Sequence, residues 1–82
     1  MHSDEKHTKT VKIRLHELRE ASDAVELVKF LARRKGILKV EVIADLFTVY
    51  VNYDERLTSP GQILADLSSI RFTPEGSTVL NG

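Results

Sequence analysis

Between Leu18 and Gly36 the chain reads Leu-Arg-Glu-Ala-Ser-Asp-Ala-Val-Glu-Leu-Val-Lys-Phe-Leu-Ala-Arg-Arg-Lys-Gly, a loop feeding an amphipathic helix that stops at a glycine. At about 100° per residue, Ala21, Ala24, Val25, Leu27, Val28, Leu31 and Ala32 share one broad face, with Glu26, Lys29 and Arg33 opposite. That face has to be covered, and the sequence on either side alternates in the manner of strands. The helix is therefore expected to lie on a sheet built by the rest of the chain. Arg33, Arg34 and Lys35 suit the negative end of the helix dipole, and Gly36 suits a left-handed cap, so the reading predicts Gly36 at the helix C-cap.

The flanking segments supply the sheet. From Thr10 to His16, Val11, Ile13 and Leu15 alternate with Lys12, Arg14 and His16, which is a strand with one buried face. In Ile37 to Ile43 the same rule places Leu38, Val40 and Val42 inward. Ala44-Asp45-Leu46 is a tight turn, after which Phe47, Val49, Val51 and Tyr53 point one way and Thr48, Tyr50 and Asn52 the other, completing a hairpin. Ser59-Pro60-Gly61-Gln62 starts a second helix, with a serine N-cap, proline at the first helical position and a glutamine placed to close a capping box. Its inner stripe is Ile63, Leu67 and Ile70. Thr73 to Gly76 is expected to turn, and Ser77 to Leu80 to form a short last strand. Met1 to Lys9 is polar and without periodicity, so residues 1–9 are expected to be a disordered tail and residues 10–82 the domain.

The order β-α-β-β-α-β predicts an α+β, ferredoxin-like fold: a four-stranded antiparallel sheet with two helices on one face. Right-handed crossovers put the first and third strands in the centre. The other face is left open and carries Lys12, Arg14, Lys39, Glu41, Tyr50 and Asn52. The 12 basic and 12 acidic residues of the 82 cancel, against a role in coating nucleic acid or an anionic membrane. The absence of cysteine excludes disulfides, thiolate metal sites and cysteine nucleophiles. No apolar run is long enough to span a membrane, so a soluble chain without membrane insertion is expected. Neither a nucleophile-base pair, a phosphate-binding glycine loop nor a dense ligand cluster can be read from the spacing, so no catalysis is expected.

Gly36-Ile37-Leu38-Lys39-Val40 after the first helix, Tyr53-Asp54 closing the third strand, Ser59-Pro60 opening the second helix and Phe72 in the following loop fall at joint spacings that resemble the heavy-metal-associated domain. That module occurs in copper chaperones and in the N-terminal arms of metal-transporting P-type ATPases. The resemblance covers about Val11 to Leu80. In the family two thiolates of a G-M-x-C-x-x-C loop hold the metal just before the first helix. Counted back from Gly36, the glycine position is Glu17, the methionine position Leu18 and the two cysteine positions Glu20 and Asp23. Cu(I) requires thiolate or thioether donors, which this loop does not offer. Carboxylates at 20 and 23 suit harder ions such as Mn(II), Mg(II) or Ca(II), or Zn(II) with His16 as nitrogen donor.

Acids in the first turn of a helix are also favoured by its dipole and its free N–H groups, and Arg19, Arg71 and Lys35 are placed to neutralise them without an ion. His2 and His7 in the tail offer at most a loose metal site. Phe30 lies on the polar side of the first helix. With Phe72 it marks the loop-and-helix surface through which family members dock partners. Tyr50 among Lys12, Arg14 and Lys39 is similar to the stacking aromatics of RNA-recognition domains, but those need an aromatic on the first strand as well, and no nucleic-acid partner is expected.

The resemblance thus implies a non-catalytic, cysteine-less, regulatory or protein-docking domain of a metal-transport system, specifically the cytoplasmic N-terminal part of a P-type ATPase, partnered by a protein or by the parent transporter's other domains. The alternatives are a carboxylate-based binder of a divalent metal ion such as Mn or Zn, and a small-molecule-binding regulatory module that forms a weak dimer by joining sheet edges.

Overall fold

The computed structural model describes residues 7–80. Its elements are β1 (Thr8–Leu15), α1 (Ala21–Ala32), β2 (Ile37–Ile43), a single 3-10 turn (Ala44–Leu46), β3 (Thr48–Asp54), α2 (Pro60–Ser68) and β4 (Pro74–Leu80). The strands pair antiparallel in the order β2-β3-β1-β4, so β1 and β3 are central, as the crossover argument requires. Val11, Ile13 and Leu15 of β1 and Val49, Val51 and Tyr53 of β3 form the sheet side of the core. Leu27 and Leu31 of α1 and Ile63 and Leu67 of α2 form the helix side, and Leu18 and Phe72 seal one end. Each such aliphatic side chain contributes about 1.5–3 kcal/mol by leaving water.

Several expectations need correction. Thr8 and Lys9 belong to β1, opposite Asp54 and Tyr53, and the Glu55 N–H donates to the His7 carbonyl at 2.9 Å. The tail expectation therefore fails for residues 7–9, because β3 continues to offer a pairing partner there; residues 1–6, with His2, lie outside the described residues. In β2 the register slips between Ile37 and Lys39. This bulge leaves Leu38 57% exposed and lets Ile37 pack on the core in its place.

Phe47 does not begin β3. It is left-handed (φ 52°) and 37% exposed, and the buried Thr48 leads the strand instead. Thr48 Oγ1 donates to the Leu46 carbonyl at 2.8 Å, which ties off the turn. Pro74 and Glu75 are already strand, opposite the end of β1 across a second irregularity at Arg14/Leu15. Proline is tolerated there because β4 is an edge strand, whose outward N–H has nothing to bond.

Helix α1 ends at Arg33 in a right-handed conformation, so Gly36 is not its C-cap. Gly36 is left-handed all the same (φ +85°), within the turn that the Ile37 N–H closes onto the Arg34 carbonyl at 3.3 Å. A side chain at Gly36 would meet Thr58 Cγ2 at 2.9 Å and Leu57 Cβ at 3.0 Å, so the position is restricted by space as well as by backbone. At α2, Ser59 Oγ accepts from the Gln62 N–H at 3.2 Å, but the Gln62 side chain donates to Asp66 Oδ1 at 2.9 Å instead of completing the box. Ile70 falls beyond the helix and is exposed.

Candidate functional site

The loop from His16 to Glu20 carries the chain from β1 into α1. It is short and turned on itself: the Leu18 N–H donates to the Leu15 carbonyl at 3.4 Å and the Arg19 N–H to the Glu17 carbonyl at 2.9 Å. Leu18, at the methionine position of the resemblance, points into the core and is 1% exposed. Glu20 is the N-cap of α1 and has extended backbone, and the Asp23 N–H donates to its carbonyl at 3.0 Å.

Asp23 lies one turn in and closes the loop. Its Oδ2 accepts from the Glu20 N–H at 2.8 Å and from the Arg19 N–H at 3.1 Å. Its Oδ1 accepts from Nη2 of Arg71, which arrives from the far loop between α2 and β4. The Arg71 hydrogen bond, followed by the Glu20 N–H, holds the Asp23 carboxyl below its ordinary range. Arg71 also donates to Glu26 Oε1, through Nε at 3.0 Å and Nη2 at 2.8 Å, and its guanidinium lies 4.6 Å over the Phe72 ring. Glu26 and then Asp23 raise the Arg71 pKa in return. The second thiolate position thus holds a carboxylate with both oxygens engaged, and its counter-charge is an arginine of the same chain.

His16, Glu17, Arg19, Glu20, Asp23 and Arg71 line one shallow hollow, but the three expected ligands do not converge in it. His16 Nε2 instead pairs with Glu75 Oε1 of β4 at 2.9 Å, and its ring lies 5.8 Å from that of Phe47. Among the described residues no group of three or more histidine, aspartate or glutamate side chains is placed to hold a metal ion. Glu17 stands at the base of the hollow. Its Oε2 accepts from the Thr73 N–H at 3.2 Å, while Oε1 is buried without a hydrogen-bond partner.

Neither aromatic expected to dock a partner is presented as such. Phe72 is 1% exposed and belongs to the core, and its burial is what anchors the loop that carries Arg71. Phe30 is half-buried against the core, and its outer side is covered by the Arg34 guanidinium at 5.4 Å. Arg34 is held in turn by the buried Asp66 of α2, through Nε to Oδ2 and Nη2 to Oδ1, both at 3.2 Å. Exposed apolar residues at the loop end of the molecule include Leu46, Phe47 and Ile70. Strict alternation placed Phe47 inward; only its position directly after the Ala44-Asp45-Leu46 turn hinted otherwise. On the open sheet face Tyr50 stands between Lys12 and Glu41, and Asn52 Nδ2 donates to Thr10 Oγ1 at 3.0 Å.

No family model and no curated protein matches the sequence. Solved structures do match the fold. Oxidized MerP from Ralstonia metallidurans CH34 superposes with a TM-score of 0.76 at 19% identity, over 90% of this chain and 99% of that one. A copper binding domain from HMA7, a P-type ATPase, gives 0.76 at 15% identity, over 89% of this chain and 95% of that one. The N-terminal domain of a potential copper-translocating P-type ATPase from Bacillus subtilis, in its Cu(I)-loaded state, gives 0.75 at 19% identity, over 87% and 91%. The chain has the fold of heavy-metal-associated domains and spans nearly the whole of each of these neighbours.

Proposed function

We propose that this chain is a non-catalytic docking or regulatory domain of a metal-transport system, in which the metal-holding loop of the fold has been closed by an internal ion pair. The observation that carries this reading is the Asp23–Arg71 contact: a cation supplied by the chain itself sits against the carboxylate that replaces the second thiolate. Two of these neighbours are copper-binding or copper-translocating P-type ATPase domains, which supports placing the domain within metal transport, as a cytoplasmic N-terminal part of a P-type ATPase. Among the described residues no helix is long and apolar enough to cross a membrane.

A second reading, a carboxylate-based binder of Mn(II) or Zn(II), rests on His16, Glu17, Glu20 and Asp23 lining the same hollow. Metal titrations separate the two. The full chain is expected to lose Cu(I) to a competing chelator, and stoichiometric, competitor-resistant uptake would overturn the closed-loop reading. With Mn(II) or Zn(II), the amides of residues 17–25 are expected to stay in place. Shifts there that disappear in Glu20→Gln/Asp23→Asn, and weaken as pH falls and the donors protonate, would establish the second reading instead.

A further inference from the structure

Strand β2 is one rim of the sheet, and its central residues are Leu38-Lys39-Val40-Glu41-Val42. Lys39 and Glu41 lie on the open face opposite Asn52 and Tyr50 of β3, and neither forms an ion pair with a described residue. Along the same strand, Val28 and Ala32 of α1 with Ile37, Leu38, Lys39 and Val40 line a mostly apolar hollow. Val25 falls on the same stripe of α1 as Val28 and Ala32 and is 52% exposed. An edge of this kind offers both a ladder of main-chain groups and an apolar flank.

We propose that two copies of this chain join here, β2 against β2, antiparallel about a two-fold axis through Val40, so that two four-stranded sheets become one of eight. The order of charges along the strand selects a second copy as the occupant. In an antiparallel pair centred on Val40, Lys39 of each copy lies directly opposite Glu41 of the other, giving two reciprocal ion pairs on the open face. Val40 then faces its own counterpart, apolar against apolar, while Leu38 sits at the bulge, outside the regular register. Centring the pair on Lys39 or on Glu41 instead would set like charges together, so the register is specified by charge.

The main chain accepts this centre whichever residues point outward. Antiparallel pairing about Val40 joins either Val40 to Val40 or Lys39 to Glu41 through exchanged N–H and C=O groups. Lys39 and Glu41 also protect the rim against indiscriminate pairing, since a strand without the matching charges meets one of them unpaired. The β4 rim has no such self-match: Pro74 lacks an N–H, and a pair centred on Ser77 would set Glu75 against Val79.

Sedimentation velocity and concentration-dependent amide NMR on the 82-residue chain test the proposal. The expected result is a weak dimer whose concentration-dependent shifts map to residues 37–43 and to the Val25–Ala32 flank of α1. Lys39→Glu and Glu41→Lys should each weaken association roughly tenfold, and the double exchange Lys39→Glu/Glu41→Lys should restore it. Both positions are exposed, so circular dichroism should show the variants folded. A chain that stays monomeric at millimolar concentration, shifts on β4 in place of β2, or a double exchange that fails to restore association would each overturn it.

Discussion

The two helices begin in opposite ways. At α2 everything needed lies within four residues: Ser59 accepts the Gln62 N–H, and Pro60 fills the position that has no N–H to satisfy. At α1 the N–H groups of Arg19 and Glu20 fold back onto Asp23, and Asp23 is held by Arg71, which is 48 residues away in sequence. A local cap stabilises one helix; a tertiary one also fixes the β1–α1 loop to the α2–β4 loop. That second device engages both carboxylate oxygens of Asp23 from within the chain.

The largest expected effect bears on the anchor of the tertiary cap. Phe72→Ala should cost about 3–5 kcal/mol in a denaturant melt, the range for a buried aromatic. Hydrogen exchange should accelerate at residues 17–25 more than at residues 60–63. Equal loss at both helix starts would erase the distinction between them.

Next comes the far end of α1, which also rests on a distant partner. Gly36→Val should cost about 1–2 kcal/mol, because the left-handed backbone and the contacts to Thr58 and Leu57 both resist a β-branched side chain. A neutral melt would mean that the turn into β2 relaxes freely, leaving only the start of α1 dependent on remote residues.

The smallest effects sharpen the comparison through pH. Ser59→Ala should cost about 1 kcal/mol at any pH, because no titrating group is involved. Asp23→Asn should destabilise only where the wild-type carboxylate is charged. The pKa of Asp23 is lowered on folding, so its contribution is fully present above the unfolded value of 3.8 and is lost as pH falls through the folded one. The penalty of Asp23→Asn should therefore be seen at pH 7 and shrink on acidification. Wild type retains a second acid-sensitive group whatever happens at 23, since Arg56 holds Asp54 down to about 2 by side-chain hydrogen bonds. Melts of both variants from neutral to acid pH make the measurement, and a pH-independent Asp23→Asn penalty would show that the Arg71 link contributes nothing to folding.

Much of this molecule is legible residue by residue. The period-2 runs gave β1 and β3 their buried sides, the 3.6 period placed Leu27, Leu31, Ile63 and Leu67 inward, and Ser59-Pro60 marked where α2 starts. The candidate loop was legible in part: the acids at 20 and 23 suit a helix N-terminus, and that is how Asp23 is used. His16 could not be resolved in the same way, since its partner Glu75 lies on a strand that reads as a turn by composition.

By itself, then, the sequence determined the element order, the antiparallel sheet with its two central strands and most of the core, because local backbone preference and hydrophobic period act between residues a few positions apart. Only the tertiary structure decided that a bulge turns Leu38 out, that Phe47 leaves the strand, that Phe30 is covered by Arg34 and that Arg71 closes the loop at Asp23. Those outcomes depend on which groups from distant segments arrive at the same place, and a side chain takes its partner from what surrounds it in space, not from its neighbours along the chain.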